Sequence, residues 1–221
     1  MVPFKKMYDL SQPVYDKCPG WPTYEMTDVV YEALYPTDKF TAEQIKMNVH
    51  TGTHLDAPFH FFPTGKTIDQ FPVDLYQGEA VLVDLRGKLA PAQGIGPEQL
   101  EPYADRIGEG SIVVLCTGWG QKRAFTDEYY KDWPYLNEEG AKWLLNKKVK
   151  GVGIDGFSMG GWYEGTGRPC HEVLLAAEVW LLEELNIPDE LMEYDTCYLM
   201  AFPLKLKGFT GAPTRAVAMV F

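Results

Sequence analysis

The segment from His50 to His60 constrains the fold more than any other part of the chain. It reads His-Thr-Gly-Thr-His-Leu-Asp-Ala-Pro-Phe-His. Thr51 and Thr53 are β-branched, Gly52 lies between them and Pro58 follows, so the segment is poorly suited to a helix interior. We therefore expect a strand that leads into a tight, glycine-containing loop.

The same segment holds three of the four histidines in the chain, together with one aspartate. Imidazole is a common neutral metal ligand, and a carboxylate can complete or bridge a divalent site. Residues an even number of positions apart share one face of an extended chain, which applies to His50, His54, Asp56 and His60. The spacing therefore predicts a metal site. A helical His-x3-His site is the alternative, but the glutamate that acts as general base in that motif is absent.

The residues before this segment alternate in polarity. Ile45, Met47 and Val49 are apolar, and the residues between them are polar. Such alternation is typical of a half-buried strand. Residues 43–50 are therefore predicted to form a strand that ends at His50, with the His50 side chain facing away from the core.

Length and composition bound the domain organisation. A chain of 221 residues with 46% hydrophobic content can bury a sizeable core, and residues 1–221 are expected to form one domain. No apolar run approaches the ~18 residues of a membrane span. The first ten residues lack the apolar region of a secretory signal.

Charge and cysteine spacing narrow the class of partner. A formal net charge of −11 disfavours nucleic acid and anionic membranes as partners, because both attract basic patches, and it says little about a small-molecule substrate, which is the partner expected from the site. The cysteines are far apart and form no Cys-x-x-Cys pair, so we expect neither a zinc ribbon nor a disulfide framework. We predict a cytoplasmic location.

Apolar runs predict several buried strands with helices between them. Predicted strands cover residues 7–14, 27–35, 43–50, 80–85, 111–116, 151–155, 179–183, 197–206 and 214–221. Predicted helices cover residues 97–107, 137–148, where Asn137 is the predicted cap, and 171–178. This pattern favours an α/β fold with a mixed sheet at its core.

A second motif competes for the catalytic role. Residues 156–160 read Gly-Phe-Ser-Met-Gly and match the nucleophile elbow of serine hydrolases. The only histidine after Ser158 is His171, thirteen residues later, which leaves too little chain for the strand that carries the acid in such enzymes. We therefore interpret this segment as a glycine-rich loop that lines a pocket, and Ser158 remains the alternative nucleophile.

Two distant residues are further candidates. His171 is the fourth histidine of the chain and could close a metal site in space. Glu183 follows twelve residues later, and its pattern alone is typical of a solvated acid. The residues by themselves leave open whether either one binds a metal.

The segment from His50 to Phe61 resembles the H-x-G-T-H-x-D-x-P-x-H-F signature of the metal-dependent cyclase family, which includes bacterial kynurenine formamidases and isatin hydrolases. The resemblance continues in Asp9-Leu-Ser-Gln-Pro, Trp21-Pro, Thr117-Gly-Trp, Gly153-Ile-Asp and Gly211-Ala-Pro-Thr-Arg-Ala-Val-Ala. One segment departs from it. Where the formamidases have an acidic, proline-containing stretch, this chain has Gly-Phe-Ser-Met-Gly-Gly-Trp-Tyr-Glu from Gly156 onwards.

The resemblance implies a swivelling β/β/α fold and a homodimer or homotetramer. It also implies one or two divalent ions, which are zinc in the formamidases and manganese in the isatin hydrolases. Zinc is the expected ion here. The positions that match the family's ligands are His50, His54, Asp56, His171 and Glu183, and His60 matches its catalytic acid and base.

These features predict an arylformamidase-like hydrolase that cleaves an amide C–N bond of a small aromatic substrate. Water activated by the metal attacks the carbonyl, and His60 passes a proton to the leaving nitrogen. Trp21 is the candidate that stacks on the substrate ring. The alternatives are hydrolysis of a lactam, lactone or ester, a serine hydrolase, and a binding module with a structural metal, although closed structural zinc sites are usually rich in cysteine.

Overall fold

The computed structural model describes residues 4–221, and the first three residues of the amino-terminal segment considered above lie outside the described residues. Its strands are β1 (Lys6–Asp9), β2 (Asp28–Ala33), β3 (Ala42–Lys46), β4 (His54–Asp56), β5 (Gln77–Asp84), β6 (Gly94–Ile95), β7 (Ile112–Cys116), β8 (Tyr135–Leu136), β9 (Gly151–Ile154), β10 (Trp180–Glu183), β11 (Thr196–Met200), β12 (Gly211–Pro213) and β13 (Val217–Val220). Its helices are α1 (Pro97–Leu100), α2 (Asp127–Lys131), α3 (Glu138–Asn146) and α4 (Arg168–Ala176).

One mixed sheet organises the described chain. Nine strands follow the order β1-β13-β11-β5-β7-β9-β10-β4-β12. The four strands from β5 to β10 in this order run parallel to one another, and every other neighbouring pair is antiparallel. The predicted α/β class with a mixed sheet is therefore confirmed. Two small two-stranded sheets, β2-β3 and β6-β8, lie outside it.

The central strands are buried on both faces because their apolar residues are continuous. On β7, Ile112 and Val114 pack into one apolar cluster, while Val113 and Leu115 pack into a second. Successive side chains of a strand point to opposite faces. The second cluster also contains residues of α3 and α4, so these helices cover one face of the sheet.

The pairing of β4 with β10 joins two distant parts of the chain. β4 lies between β10 and β12 and is antiparallel to both. In this register His54 is opposite Glu183, and Asp56 is opposite Leu181. The histidine-rich segment and the end of β10 therefore meet inside the sheet.

The strand predicted over residues 43–50 is present only as far as Lys46, and its predicted half-burial and its end at His50 are wrong. β3 ends at Lys46, and His50 lies in a turn in which its backbone N–H donates to Oδ1 of Asn48. β3 pairs with β2 and no other strand of the described chain, and Ile45 is 51% exposed. No other element of the described chain therefore covers the apolar side chains of β3.

Other predicted boundaries also differ from the structure. The helix predicted over 97–107 is only one turn long, because Pro102 has no N–H to continue it and a 3₁₀ turn follows. α4 starts at Arg168 rather than His171, with Pro169 in its first turn. α3 begins as predicted, and Oδ1 of Asn137 accepts the N–H of Gly140.

The other predicted strands are found in place but are shorter in part, whereas β4, β6, β8 and β12 were not predicted. β1 ends at Asp9, before Pro13, and β11 ends at Met200, before Pro203. Proline has no N–H for the ladder, so neither strand continues through its proline. Among residues 4–221, no helix has the length and apolar character needed to span a bilayer.

We expect Gly151→Ala to destabilise the fold by about 1–3 kcal/mol, because it overpacks the core. Gly151 is opposite Trp180 on β10, and a Cβ at this glycine would lie 2.1 Å from Cε2 of the indole. Urea unfolding measures the change. Gly108→Ala is the matched control, because a Cβ there meets no atom within 4 Å. Equal effects of the two substitutions would contradict the role assigned to the Trp180 contact.

Candidate metal centre

Three of the predicted ligands lie on the paired strands β4 and β10. His54, Asp56 and Glu183 are all buried, and the first two share a face as their even spacing predicts. Nε2 of His54 lies 3.3 Å from Oδ1 of Asp56 and 3.4 Å from Oε2 of Glu183. Two carboxylates and an imidazole nitrogen therefore converge in the interior.

The other two predicted ligands approach from outside these strands. His50 lies in the turn after β3, and its Nδ1 is 2.8 Å from Oδ1 of Asp56. His171 lies on α4, and its Nε2 is 3.0 Å from Oε1 of Glu183 and 3.9 Å from Oδ2 of Asp56. The structure thus brings together all five residues at which ligands were predicted.

Asp56 is shared between two sets of potential ligand atoms. One set is His50, Asp56 and His60, and the other is His54, Asp56 and Glu183. Within each set the ligand atoms lie within 4.8 Å of one another. A carboxylate has two oxygens, so Asp56 could contribute to both sets at once.

His54 provides the test of whether a cation fits this site. Its Nδ1–H donates to the carbonyl of Gly52 at 2.7 Å, which leaves the lone pair on Nε2. Nε2 is buried, and it has no hydrogen-bond partner among residues 4–221. A lone pair that faces the carboxylates of Asp56 and Glu183 is unfavourable unless a positive charge lies between them. The residues present therefore fit a divalent cation.

The pKa of His54 also indicates that a positive charge is favourable beside the two carboxylates. Burial lowers this pKa, but the contacts with Asp56 and Glu183 outweigh it and raise the pKa well above its usual value. Burial and Asp56 raise the pKa of Glu183, while His171 and His54 lower it, with a net result of about 2. The pocket therefore favours ionised acids and a positive charge beside them.

His171 is oriented in the same way as His54. Its Nδ1–H donates to the carbonyl of Gly167 at 2.7 Å, so Nε2 points towards the acids. A backbone carbonyl that fixes the ring in this way is typical of a histidine that binds metal. Burial lowers the pKa of His171, but Cys170 and Glu183 raise it well above its usual value.

His60 differs from the other histidines in its electrostatics. It ends the 3₁₀ turn Pro58–His60, and its ring stacks on His50 with centroids 4.0 Å apart. Burial lowers the pKa of His60 to about 4, although Asp56 opposes the shift. The ring is therefore neutral near pH 7 and can accept a proton.

A cavity of about 410 Å³ opens beside His60 and His171. Trp21 and Phe157 form part of its wall and stack at 5.7 Å with their planes 6° apart. Phe61 forms another part of the wall and stacks on His171 at 4.7 Å. Trp21 is thus on the cavity surface and is supported by an aromatic neighbour.

Ser158 supports Glu183 in this structure. Its hydroxyl donates to Oε1 of Glu183 at 3.2 Å, and the N–H of Met159 donates to the same oxygen at 2.6 Å. The ring nitrogens of His171 are engaged by Gly167 and Glu183. A nucleophile elbow leads directly into a helix, whereas α4 begins ten residues after Ser158. The segment is the pocket-lining loop that the sequence favours.

A buried acid next to Glu183 was not among the predicted site residues. The hydroxyl of Tyr129 donates to Oε1 of Glu184 at 3.0 Å, and Nε of Arg123 lies 3.8 Å from the same oxygen. The hydroxyl of Thr53 donates to the Glu184 carbonyl at 2.6 Å, which fixes the residue before His54. Glu184 lies one residue beyond β10 and has a φ of 54°, so strand alternation in the sequence does not predict the direction of its side chain.

Known proteins match this chain over nearly all of its length. A kynurenine formamidase from Bacillus anthracis is 28% identical over 215 residues, which cover 96% of each chain. Isatin hydrolase A from Labrenzia aggregata, bound to benzyl benzoate, has a TM-score of 0.86 at 26% identity and covers 97% of this chain and 93% of its own. A structure described as a potential metal-dependent hydrolase with cyclase activity has a TM-score of 0.80 at 29% identity, with 98% of both chains covered.

These likenesses confirm the predicted fold, because they extend over the whole mixed sheet. The family model named Cyclase matches residues 8–160, which include the segment from His50 to His60. This match spans more than half of the chain. The protein therefore belongs to the Cyclase family.

Proposed function

We propose that this protein is a metal-dependent hydrolase that cleaves an amide C–N bond of a small aromatic substrate, in the manner of an arylformamidase. The observation that carries the proposal is the buried Nε2 of His54, which has no hydrogen-bond partner in the described chain and faces Asp56 and Glu183. The names kynurenine formamidase and isatin hydrolase, carried by the matching proteins, support this reaction class.

The proposed ligands are His50, His54, Asp56, His171 and Glu183, and they would hold one or two divalent ions. Imidazole and carboxylate donors suit zinc, which we propose as the ion, with manganese as the alternative. When bound, such an ion polarises the substrate carbonyl and makes water acidic enough to attack near neutral pH. Ser158 and Met159 hold the Glu183 carboxylate in position from the side of the loop.

His60 is the proposed general base and acid. Its low pKa keeps the imidazole neutral at pH 7, so the ring can take a proton from the attacking water. The resulting imidazolium, stabilised by Asp56, then returns the proton to the leaving nitrogen. The stacking contact with His50 fixes the plane of the ring during both transfers.

The aromatic wall is the proposed site for the substrate ring. Trp21 and Phe157 present stacked surfaces to the cavity, and Phe61 presents another beside His171. Aromatic rings prefer such stacked or edge contacts, which would orient the scissile bond towards His60. Lactam hydrolysis is the second candidate, favoured by the structural likeness to isatin hydrolase A, and it would use the same residues. Lactone or ester hydrolysis at this site also stays open.

A homodimer or homotetramer is part of the proposal. The β2-β3 hairpin exposes apolar side chains, with Tyr31 57%, Phe40 61% and Ile45 51% exposed. A two-stranded hairpin alone is marginally stable in water, so cover from a second copy would stabilise it.

We also propose a single domain over residues 1–221, since β1 and β13 pair within the same sheet.

We propose that the enzyme acts in the cytoplasm on a small molecule. The four cysteines are buried and free, as is typical of proteins in a reducing compartment. The net charge of −11 disfavours nucleic acid and anionic membranes as partners.

Removal of the metal should abolish activity, since no other Lewis acid is proposed for the site. Elemental analysis of the purified protein should find zinc or manganese. Activity on N-formylkynurenine and isatin is then compared before chelation, after chelation, and after each ion is added back. Loss and recovery of turnover are expected on at least one of the two substrates. Full activity in metal-free protein would contradict the mechanism.

We expect His60→Asn to lower kcat by about 100- to 10,000-fold, the usual contribution of general acid–base catalysis. Its metal content should stay that of the wild type. Ser158→Ala is the matched control in the same cavity and should keep most of the activity, because Met159 still holds Glu183. If Ser158→Ala were inactive while chelated wild type remained active, the serine hydrolase alternative would replace this one.

Charged residues on the hairpin should dissociate the oligomer. Light scattering after gel filtration should give a dimer or tetramer for the wild type and a monomer for Tyr31→Glu combined with Ile45→Glu. Val73→Glu is the control, because Val73 is 66% exposed and lies outside the hairpin. A monomeric wild type, or equal dissociation in the control, would refute the assigned interface.

A further inference from the structure

The cavity beside the metal centre contains one permanent positive charge. Among the twelve residues that line it, Arg168 is the only lysine or arginine. The chain as a whole carries a net charge of −11, so a general excess of basic residues does not explain a cation at this place. Arg168 therefore distinguishes the cavity from the surrounding surface.

Aromatic contacts fix the position of this charge relative to the reacting groups. The guanidinium carbon of Arg168 lies 5.2 Å from the centroid of the Phe61 ring. The Phe61 ring in turn stacks on His171 at 4.7 Å with the planes 17° apart. The guanidinium is thus separated by one aromatic ring from a proposed metal ligand, and both flank the same cavity.

Arg168 is available for an external partner. Its Nε and Nη2 both donate to Oε1 of Glu172, at 3.1 and 2.7 Å, and its Nη1 makes no hydrogen bond to any of residues 4–221. The pair is open to solvent, with side-chain exposures of 69% and 44%. Exposed ion pairs contribute little free energy, so an incoming anion can compete with Glu172.

We propose that Arg168 determines substrate specificity by binding an anionic substituent, such as a carboxylate, on the ring of the aromatic amide. This inference rests on the proposed function, since it names the substrate class of the same cavity. The planar guanidinium presents paired N–H donors that match a carboxylate or sulfonate. The aromatic wall holds the ring, and Arg168 selects the charge at its far end.

A binding experiment tests Arg168 without turnover. Benzenesulfonate and its neutral analogue, methyl phenyl sulfone, are titrated calorimetrically into the metal-loaded protein. Arg168→Gln should weaken benzenesulfonate binding about tenfold and leave sulfone binding unchanged, because only the anion uses the charge-assisted hydrogen bonds. Glu172→Gln should tighten benzenesulfonate binding, because it removes the competing carboxylate.

Turnover of two matched formamides tests the same residue during the reaction. 2-Formamidobenzoate and formanilide share the scissile bond and differ in the carboxylate. Arg168→Gln should raise KM for 2-formamidobenzoate about tenfold with little change in kcat, and should leave KM for formanilide unchanged. Arg168→Lys keeps the charge without the planar fork, so its KM should lie between those of the wild type and Arg168→Gln.

Arg106→Gln controls for net charge, because Arg106 pairs with Asp195 and does not line the cavity. Equal losses in this control and in Arg168→Gln would overturn the proposal. Equal weakening of the charged and neutral probes by Arg168→Gln would also overturn it. If the wild type hydrolysed neither formamide, the proposed function would fail, and the two binding probes would still decide the role of Arg168.

Discussion

Two carboxylates buried side by side are the constraint on which this structure depends. Asp56 and Glu183 lie on neighbouring strands in the interior, where ionised acids repel each other unless positive charge lies between them. The turn after β3 supplies His50, and α4 supplies His171. Both His54 and His171 donate Nδ1–H to a backbone carbonyl, so their other nitrogens point at the acids. Strand β4, helix α4 and the turn after β3 therefore place histidines where they compensate the negative charge of the two acids.

Residue spacing and hydrophobic pattern predicted those features of the site and fold that depend on one continuous segment. The even spacing of His54 and Asp56 gave their common face, and continuous apolar runs gave the buried strands β5 and β7. Glu183 could not be identified by pattern alone, because its role comes from a register opposite His54 that joins residues 129 positions apart. For Glu183, only the family resemblance indicated the ligand position, whereas His171 was already a candidate as the fourth histidine.

The wrong boundaries have a common physical origin. Alternating polarity in residues 43–50 predicts burial only if a second layer covers the strand, and β3 has no such layer. The helical pattern of residues 97–107 predicts helix only if every N–H is present, and Pro102 lacks one. In both cases the side-chain pattern was correct, and the outcome was decided by a feature of the backbone or of the neighbouring elements.

The adjacent acids at the end of β10 have a consequence for how this family member can vary. Glu183 faces the proposed metal centre, while Glu184 accepts hydrogen bonds from the hydroxyls of Tyr129 and Thr53. Side-chain direction on a strand depends on counting residues, so one inserted or deleted residue in β10 would displace both acids from their partners at once. The register therefore constrains the length of β10 directly, because both acids depend on it.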